Sequence, residues 1–211
     1  GPWKRDARQV IVPPVPGAEQ EARRIAGRLE TDPLIGDAAT KTAILQRLSE
    51  ASVMHFATHG LLEGVTPFDL PGAIAVAQTT GRQTDFIDLP DSQQQVSFSD
   101  AGLIETNEIL LFRLRAELVV LSACNTGGGD LTGDGINGLS RAFIASGVPS
   151  VVVSLWAIPD APTGELMTTF YDEWLSGSDK ATALRTAMLT TMELYPDPIN
   201  WAAFTLIGEA E

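Results

Sequence analysis

Two continuous apolar runs constrain the fold of this chain more than any other feature. Residues 118–122 and 150–155 consist entirely of valine, leucine and serine. They lack the regular alternation of polar and apolar residues that marks a strand with one solvent-exposed face. Runs of this kind are typical of strands buried on both faces of a parallel sheet. Amphipathic helical patterns lie around them. We therefore predict an α/β fold: a three-layer α/β/α sandwich with a mainly parallel, six-stranded sheet.

Shorter sequence patterns predict the other strands. A β-branched run, further apolar segments and a possible β-arm predict strands at residues 9–12, 33–36, 52–57, 201–207 and 74–77. Much of the stretch between residues 61 and 100 is polar. Because it directly follows residue 59, we expect it at the mouth of any site there.

Helices are predicted from capping residues and from apolar positions at helical spacing. Thr40 is placed to cap one helix, and Gly147 stands where a later helix should end. Two more helices are predicted over 163–175 and 179–192, and the first of these carries a large apolar stripe that indicates core packing.

Length and composition predict one domain. The chain has 211 residues, of which 44% are hydrophobic, enough for a single large core. Gly1 and Pro2 resemble the remnant of a tag-removal site, and the chain opens without methionine. We therefore expect a single domain over residues 3–211, taken from a longer protein.

Charge and cysteine content narrow the partners and the compartment. Fourteen basic residues against twenty-seven acidic ones give a formal charge of −13, which disfavours nucleic acid and anionic membranes and favours a basic protein partner. The chain lacks a secretory signal and a membrane-spanning run, so we expect a soluble protein. Its single cysteine predicts a free thiol in a reducing, cytoplasmic environment, with no disulfide and no multi-cysteine zinc cluster.

Two strand ends carry the residues that are best suited to catalysis. One predicted strand leads to His59 and Gly60, and another leads to Cys124, each followed by what is predicted to be a glycine-bounded turn. Ligands collect beyond the carboxyl ends of strands in open α/β sheets, so the two side chains meet if their strands are neighbours. A neighbouring imidazole stabilises a cysteine thiolate, the nucleophilic form. The backbone N–H groups of Gly60 and Cys124 are candidates for an oxyanion hole.

Purely structural roles for the same residues also remain open. A lone cysteine is often a small buried apolar residue, and a lone histidine is often a hydrogen-bonded polar residue. His55 is predicted to face the same side as His59, as a supporting residue or as a buried, hydrogen-bonded one. We expect no metal and no cofactor: the two histidines lack a zinc-binding glutamate, and the glycine-rich loop at 127–135 lacks both a P-loop ending and a calcium-ligand pattern.

Four ordered motifs resemble the CHAT domain family, caspase-like peptidases related to separases that usually follow tetratricopeptide repeats. These motifs are MHFATHG at 54–60, LVVLSACNTG at 118–127, SLWAIPD at 154–160 and WAAF at 201–204. The resemblance extends from about residue 17 to 208. It implies a caspase-like fold with adjacent histidine and cysteine strands, His59 as general acid and base, and Cys124 as the nucleophile that forms an acyl-enzyme.

The resemblance also suggests substrate-binding positions. In the related separases an aspartate after a similar Leu-Trp pair lines the pocket for the side chain before the cut, so Asp160, near Trp156, is a candidate for holding a basic residue. Asp160 is equally explained as a carboxylate at a helix N-terminus. Ser122 stands where metacaspases place a second acid, which weakens a preference for arginine or lysine, and Asn125 directly follows the cysteine.

The resulting hypothesis is a cysteine endopeptidase that cleaves a protein partner. The tetratricopeptide repeats of the same protein, or an activating partner, are expected to gate it. The alternatives are a catalytically silent regulatory or scaffolding module and a small-molecule amidase or acyltransferase.

Overall fold

The computed structural model describes residues 5–6, 9–10, 15, 17–61, 72–78, 84–88, 95–99, 102–125 and 134–211. Within these ranges the strands are β1 Arg5–Asp6, β2 Gln9–Val10, β3 Val53–Leu61, β4 Ala73–Ala75, β5 Thr84–Asp88, β6 Gln95–Ser99, β7 Leu103–Glu105, β8 Leu118–Asn125, β9 Ser150–Ser154 and β10 Phe204–Gly208. The helices are α1 Ala18–Arg28, α2 Lys41–Leu48, α3 Thr106–Ile109, α4 Asp134–Ala145, α5 Asp160–Leu175 and α6 Lys180–Leu194.

The main sheet has six strands in the order β10-β9-β8-β3-β4-β7. Its centre is parallel, since β8 pairs in parallel with both β3 and β9, whereas β10, β4 and β7 join in antiparallel fashion. The predicted six-stranded α/β architecture is confirmed, with the parallel pairs at the middle of the sheet. Two small hairpins, β1-β2 and β5-β6, stand apart from it.

Apolar cores on the two faces of the sheet make the three layers. On one face Val119 and Leu121 pack with side chains of α2, α3 and α4. On the other face Leu118 and Val120 pack with α1, α5 and α6. Successive residues of β8 therefore enter opposite cores, which explains why residues 118–121 are apolar without interruption.

Local sequence signals place the helix ends. The Thr40 side chain accepts a hydrogen bond from the Ala43 N–H, so the predicted cap of α2 is confirmed. After α4 the chain turns at Gly147, whose φ of +112° suits glycine, and the Val148 N–H donates to the Phe143 carbonyl. A Cβ at position 147 would lie 2.8 Å from the Leu114 carbonyl oxygen, so both conformation and space require glycine.

Several predicted boundaries were wrong. Residues 33–36 form no strand; a 3-10 turn, Gly36–Ala38, occupies part of this stretch, where Pro33 has no N–H to give and Gly36 has a φ of +53°. The last strand begins at Phe204 rather than at 201, and α5 begins at Asp160 rather than at 163. Of the predicted strand at 9–12 only β2 is described, and most of the glycine-rich loop at 127–135 lies outside the described residues.

None of the helices among the described residues combines the length and the hydrophobicity that a membrane-spanning helix needs.

Candidate active site

Register brings the two candidate catalytic positions side by side. β3 and β8 pair in parallel from Val53 opposite Leu118 to Gly60 opposite Asn125, and His59 stands opposite Cys124. Neighbouring strands lie about 4.8 Å apart, and register partners occupy the same face of a sheet. The adjacency on which the candidate site depends is therefore present at the carboxyl ends of two central parallel strands.

Both strands extend further than predicted. β3 continues through His59 and Gly60 to Leu61 instead of ending at residue 57, and β8 continues to Asn125 instead of ending at 122. The expected turn immediately after His59 is therefore wrong. The reason is the parallel ladder with β8, which continues to Gly60 opposite Asn125, while β4 adds a pair at Leu61 opposite Ala73.

The histidine is buried where three strands meet. The His59 residue is 7% exposed and forms part of the wall of a cavity of about 560 Å³ that runs along β3. Just before it, the Thr58 hydroxyl donates a 2.8 Å hydrogen bond to the Ala75 carbonyl, which ties β4 to β3. Gly60 lies between β8 and β4, and its role in an oxyanion hole remains a prediction.

The remaining predicted substrate-binding positions fall into two groups. Ser122 and Asn125 belong to β8, opposite Ala57 and Gly60, so they flank the candidate nucleophile along one strand. Ser122 is buried. Trp156 lies beyond β9, packs against the core formed with α1, α5 and α6, and donates its indole N–H to the Ile199 carbonyl at 3.1 Å. Its indole N–H is therefore committed to the backbone.

Asp160 is exposed at the first residue of α5. It also abuts the start of α1, because a Cβ added at Gly17 would overlap the Asp160 side chain. A carboxylate at this position interacts favourably with the helix dipole, and it is also open to solvent and to ligands. Both interpretations of Asp160 therefore remain available.

A buried polar cluster next to the candidate site was missed by the sequence reasoning. His55 Nε2 lies 2.9 Å from Glu21 Oε1, and His55 Nδ1 lies 3.2 Å from the Tyr171 hydroxyl. The His55 and Glu21 side chains are only 6% and 9% exposed. Burial raises the pKa of Tyr171 well above its usual range, and the Glu21 carboxylate adds to the rise.

This cluster, Glu21-His55-Tyr171, settles the role of His55. Both ring nitrogens have protein partners, which agrees with the buried, hydrogen-bonded interpretation. The cluster links β3 to α1 and α5 four residues before His59, and i and i+4 positions of a strand share one face. A sequence signal existed in α1, where Glu21 lies four positions before Ile25 and so falls on the apolar stripe.

Among the described residues, no group of three or more histidine, cysteine, aspartate or glutamate side chains is placed to hold a metal ion.

Comparison with known proteins identifies relatives that match most of the chain. The family model described as CHAT domain matches residues 2–209. Tetratricopeptide repeat protein 28 of Mus musculus is 31% identical over 217 aligned residues, and the Homo sapiens protein of the same name is 30% identical. Each alignment covers 92% of this chain but only 9% and 8% of the relative, so the chain spans less than a tenth of their length.

Proposed function

Since the chain belongs to the CHAT domain family, we propose that it is a cysteine endopeptidase in which His59 and Cys124 form the catalytic dyad. The observation that carries the proposal is the register that sets these two residues opposite each other on neighbouring parallel strands. Residues 3–211 act as one catalytic domain in this proposal.

The dyad accounts for each proton in peptide hydrolysis. His59 takes the proton of the Cys124 thiol, and the thiolate attacks the scissile carbonyl carbon to give a tetrahedral oxyanion. The resulting imidazolium donates its proton to the leaving amine as the C–N bond breaks, leaving a thioester on Cys124. His59 then deprotonates a water molecule that attacks the thioester, and the thiol is restored. The N–H groups of Gly60 and Cys124 are proposed to stabilise the oxyanion.

Electrostatics favour a basic protein substrate. The net charge of −13 attracts basic segments over a long range. At shorter range, the exposed Asp160 carboxylate is proposed to pair with a basic side chain before the scissile bond, while Ser122, Asn125 and Trp156 line the substrate path.

We further propose that the active domain depends on a larger protein. The curated relatives are named for tetratricopeptide repeats and are more than ten times longer than this chain. Such repeats in the same protein, or an activating partner, would control access to the dyad. The single cysteine supports a reducing, cytoplasmic location.

One observation favours a catalytically silent regulatory module as the second candidate. Gly60 is paired with strands on both sides, and ladder positions direct backbone N–H groups into hydrogen bonds of the sheet. An oxyanion hole needs a donor that points at the substrate instead. In that case the fold would be kept for binding and not for turnover.

Cleavage of a proteome-derived peptide library separates the two candidates. A peptidase cuts the library, and both Cys124→Ala and His59→Gln abolish the cuts. His55→Gln is the matched control, because it changes the other histidine of the chain and should retain the cleavage pattern at temperatures where it is folded. The library should be tested with the domain alone and with the upstream repeats restored. A folded protein that cuts nothing in either form, or cuts that survive Cys124→Ala, would overturn the proposal.

A further inference from the structure

A surface beside the carboxyl end of α4 combines exposed apolar and basic side chains. It is formed by residues 110–115, which follow α3, and by the last turns of α4. We name it the Ser146 surface, after the residue that joins these two parts. Its exposed members are Leu110, Leu111, Arg113, Arg115, Arg141 and Ile144. The surface thus presents three large apolar side chains and three guanidinium groups.

Hydrogen bonds through Ser146 hold the two parts together. The Ser146 hydroxyl donates a 3.0 Å hydrogen bond to the Ile109 carbonyl at the end of α3, and the Leu114 N–H donates a 2.7 Å hydrogen bond to the Ser146 carbonyl. Ser146 is itself buried. The exposed residues that adjoin Ile109 and Leu114 in the sequence therefore lie next to the end of α4.

Buried neighbours fix the backbone that carries the exposed side chains. From residue 111 to residue 117 exposed and buried positions alternate, which is typical of an extended chain with one side against a core. The buried positions, which belong to the core formed with α2, α3 and α4, are Phe112, Leu114 and Ala116. Arg113 and Arg115 lie on the exposed side. On α4, Arg141 and Ile144 are three positions apart and share one face of the helix.

The three arginines of this surface have no protein partner among the described residues. There, Arg113, Arg115 and Arg141 form neither an ion pair nor a side-chain hydrogen bond. By contrast, every arginine of α1 pairs with a carboxylate. These pairs are Arg23 with Glu19 at 2.8 Å, Arg24 with Glu165 at 3.6 Å and Arg28 with Asp172 at 2.6 Å. Glu117 is the only acidic residue in 110–117 and 138–147, so the Ser146 surface is locally basic in a chain with a net charge of −13.

The chemistry of the Ser146 surface fits an acidic protein segment. A guanidinium group can pair with a carboxylate through two parallel hydrogen bonds, and arginine is enriched in protein interfaces. A ligand that offers charge alone would leave the apolar side chains exposed, whereas a peptide that also carries apolar side chains covers them. A short segment contacts only this surface. A membrane or a nucleic acid would extend its negative charge over the acidic remainder of the molecule, which repels it.

We propose that the Ser146 surface docks an acidic protein segment. Its carboxylates pair with the three arginines, and its apolar side chains pack on the two leucines and the isoleucine. The surface lies at the amino-terminal end of the parallel strands, because residues 110–117 lead into β8 and residues 146–149 lead into β9. Cys124 lies six residues after Leu118 on β8, about 20 Å away at about 3.3 Å per residue. The docked segment therefore leaves the other end of the sheet open, and its binding does not depend on peptidase activity.

Fluorescence anisotropy with a labelled acidic peptide tests the proposal. The probe is a peptide of about 15 residues, about four helical turns, with leucine at helical spacing and glutamate at the other positions. We expect saturable binding to the wild type. The variant with Arg113→Gln, Arg115→Gln and Arg141→Gln should bind at least about tenfold more weakly, because three charged pairs are lost. The matched control is the variant with Arg23→Gln, Arg24→Gln and Arg28→Gln, which loses the same charge from α1 and should keep the wild-type affinity.

A second peptide and two further measurements make the test decisive. The same peptide with glutamine in place of every glutamate should bind at least about tenfold more weakly than the acidic peptide, and urea unfolding reports that each variant is folded. No binding of the acidic peptide, equal binding of both peptides, or wild-type affinity in the folded Arg113→Gln, Arg115→Gln, Arg141→Gln variant would overturn the proposal. Binding to phosphatidylserine vesicles in place of the peptide would assign the surface to a membrane. Self-association in sedimentation that this variant abolishes, without peptide binding, would assign it to a second copy of the chain. Either result would also overturn the proposal.

Discussion

Removing the Glu21 carboxylate should destabilise the domain far more than removing the Glu19 carboxylate, although the two residues lie two positions apart on α1. Glu21 is buried and bonds to His55 at 2.9 Å, so Glu21→Ala leaves a buried ring nitrogen without its partner. Glu19 pairs with Arg23 at a surface where both side chains are more than half exposed.

The expected magnitudes differ several-fold. An orphaned buried polar group costs about 1–3 kcal/mol, and breaking a buried charged pair costs about 3–5 kcal/mol, so we expect about 2–4 kcal/mol for Glu21→Ala. In a domain of this size, that free energy lowers the melting temperature by roughly 4–15 °C. Glu19→Ala should cost about 0.3–0.5 kcal/mol, the usual value of an i,i+4 pair on a helix surface.

Urea unfolding at pH 7, followed by tryptophan fluorescence, measures the free energy of unfolding of both variants. Glu21→Gln provides a third point, because its amide keeps a hydrogen-bonding group near His55 Nε2 and should recover part of the loss. Equal losses of unfolding free energy for Glu21→Ala and Glu19→Ala would refute the reasoning, since the buried cluster would then contribute no more than a surface pair.

Three further outcomes follow from other parts of the structure, each with its own measurement. Gly147→Ala should lower the free energy of unfolding in denaturant by about 1–3 kcal/mol, because φ is +112° and the Leu114 carbonyl is close. Gly27→Ala, in a helix with open space around it, should raise that free energy by about 0.4–1 kcal/mol. Changes of the same sign in the two variants would contradict this. Burial, with the nearby Glu108 charge, raises the pKa of Glu105, so its pKa in the folded state lies above that in the unfolded state. Ionisation of Glu105 therefore weakens the fold as the pH rises through these two pKa values. Glu105→Gln should raise the melting temperature at pH 7 and lose that advantage below about pH 4, which thermal melts at a series of pH values would reveal. Asp160→Asn should lower kcat/KM selectively for substrates with a basic residue before the cut; an equal fall for all substrates would leave only the helix-dipole role.

The main strands and the helices were predictable because their signals are local. The uninterrupted apolar run of β8 reflects two cores that its residues enter on alternate sides, and this burial can be inferred from composition alone. Likewise, the cap at Thr40 and the turn at Gly147 depend on residues within a few positions of each other.

Strand order and register could not be predicted from local sequence patterns. The residues alone placed His59 and Cys124 at two strand ends, but their adjacency depends on which strands pair, and only the family resemblance supplied that expectation. β4 was foreseen as a separate arm, yet it joins the main sheet by pairing with Gly60 and Leu61, beyond the predicted end of β3. Antiparallel pairing over two residue pairs leaves little trace in the sequence.

The buried cluster was missed for the same reason. His55 is separated from Glu21 by 34 positions and from Tyr171 by 116. Each residue taken alone is unremarkable, since a glutamate in an early helical turn interacts favourably with the dipole and a tyrosine on an apolar stripe indicates core packing. Their combination becomes visible only when α1, β3 and α5 are brought together.

The pH dependence of alkylation of the single thiol tests the dyad most directly. Because Cys124 is the only cysteine, iodoacetamide incorporation measured by mass spectrometry reports one site. If His59 stabilises the thiolate, the folded wild type should react at pH 6 at least about tenfold faster than folded His59→Gln, whose profile should approach that of the urea-unfolded chain, with a midpoint near pH 8.5. Superimposable profiles for wild type and His59→Gln would contradict the dyad.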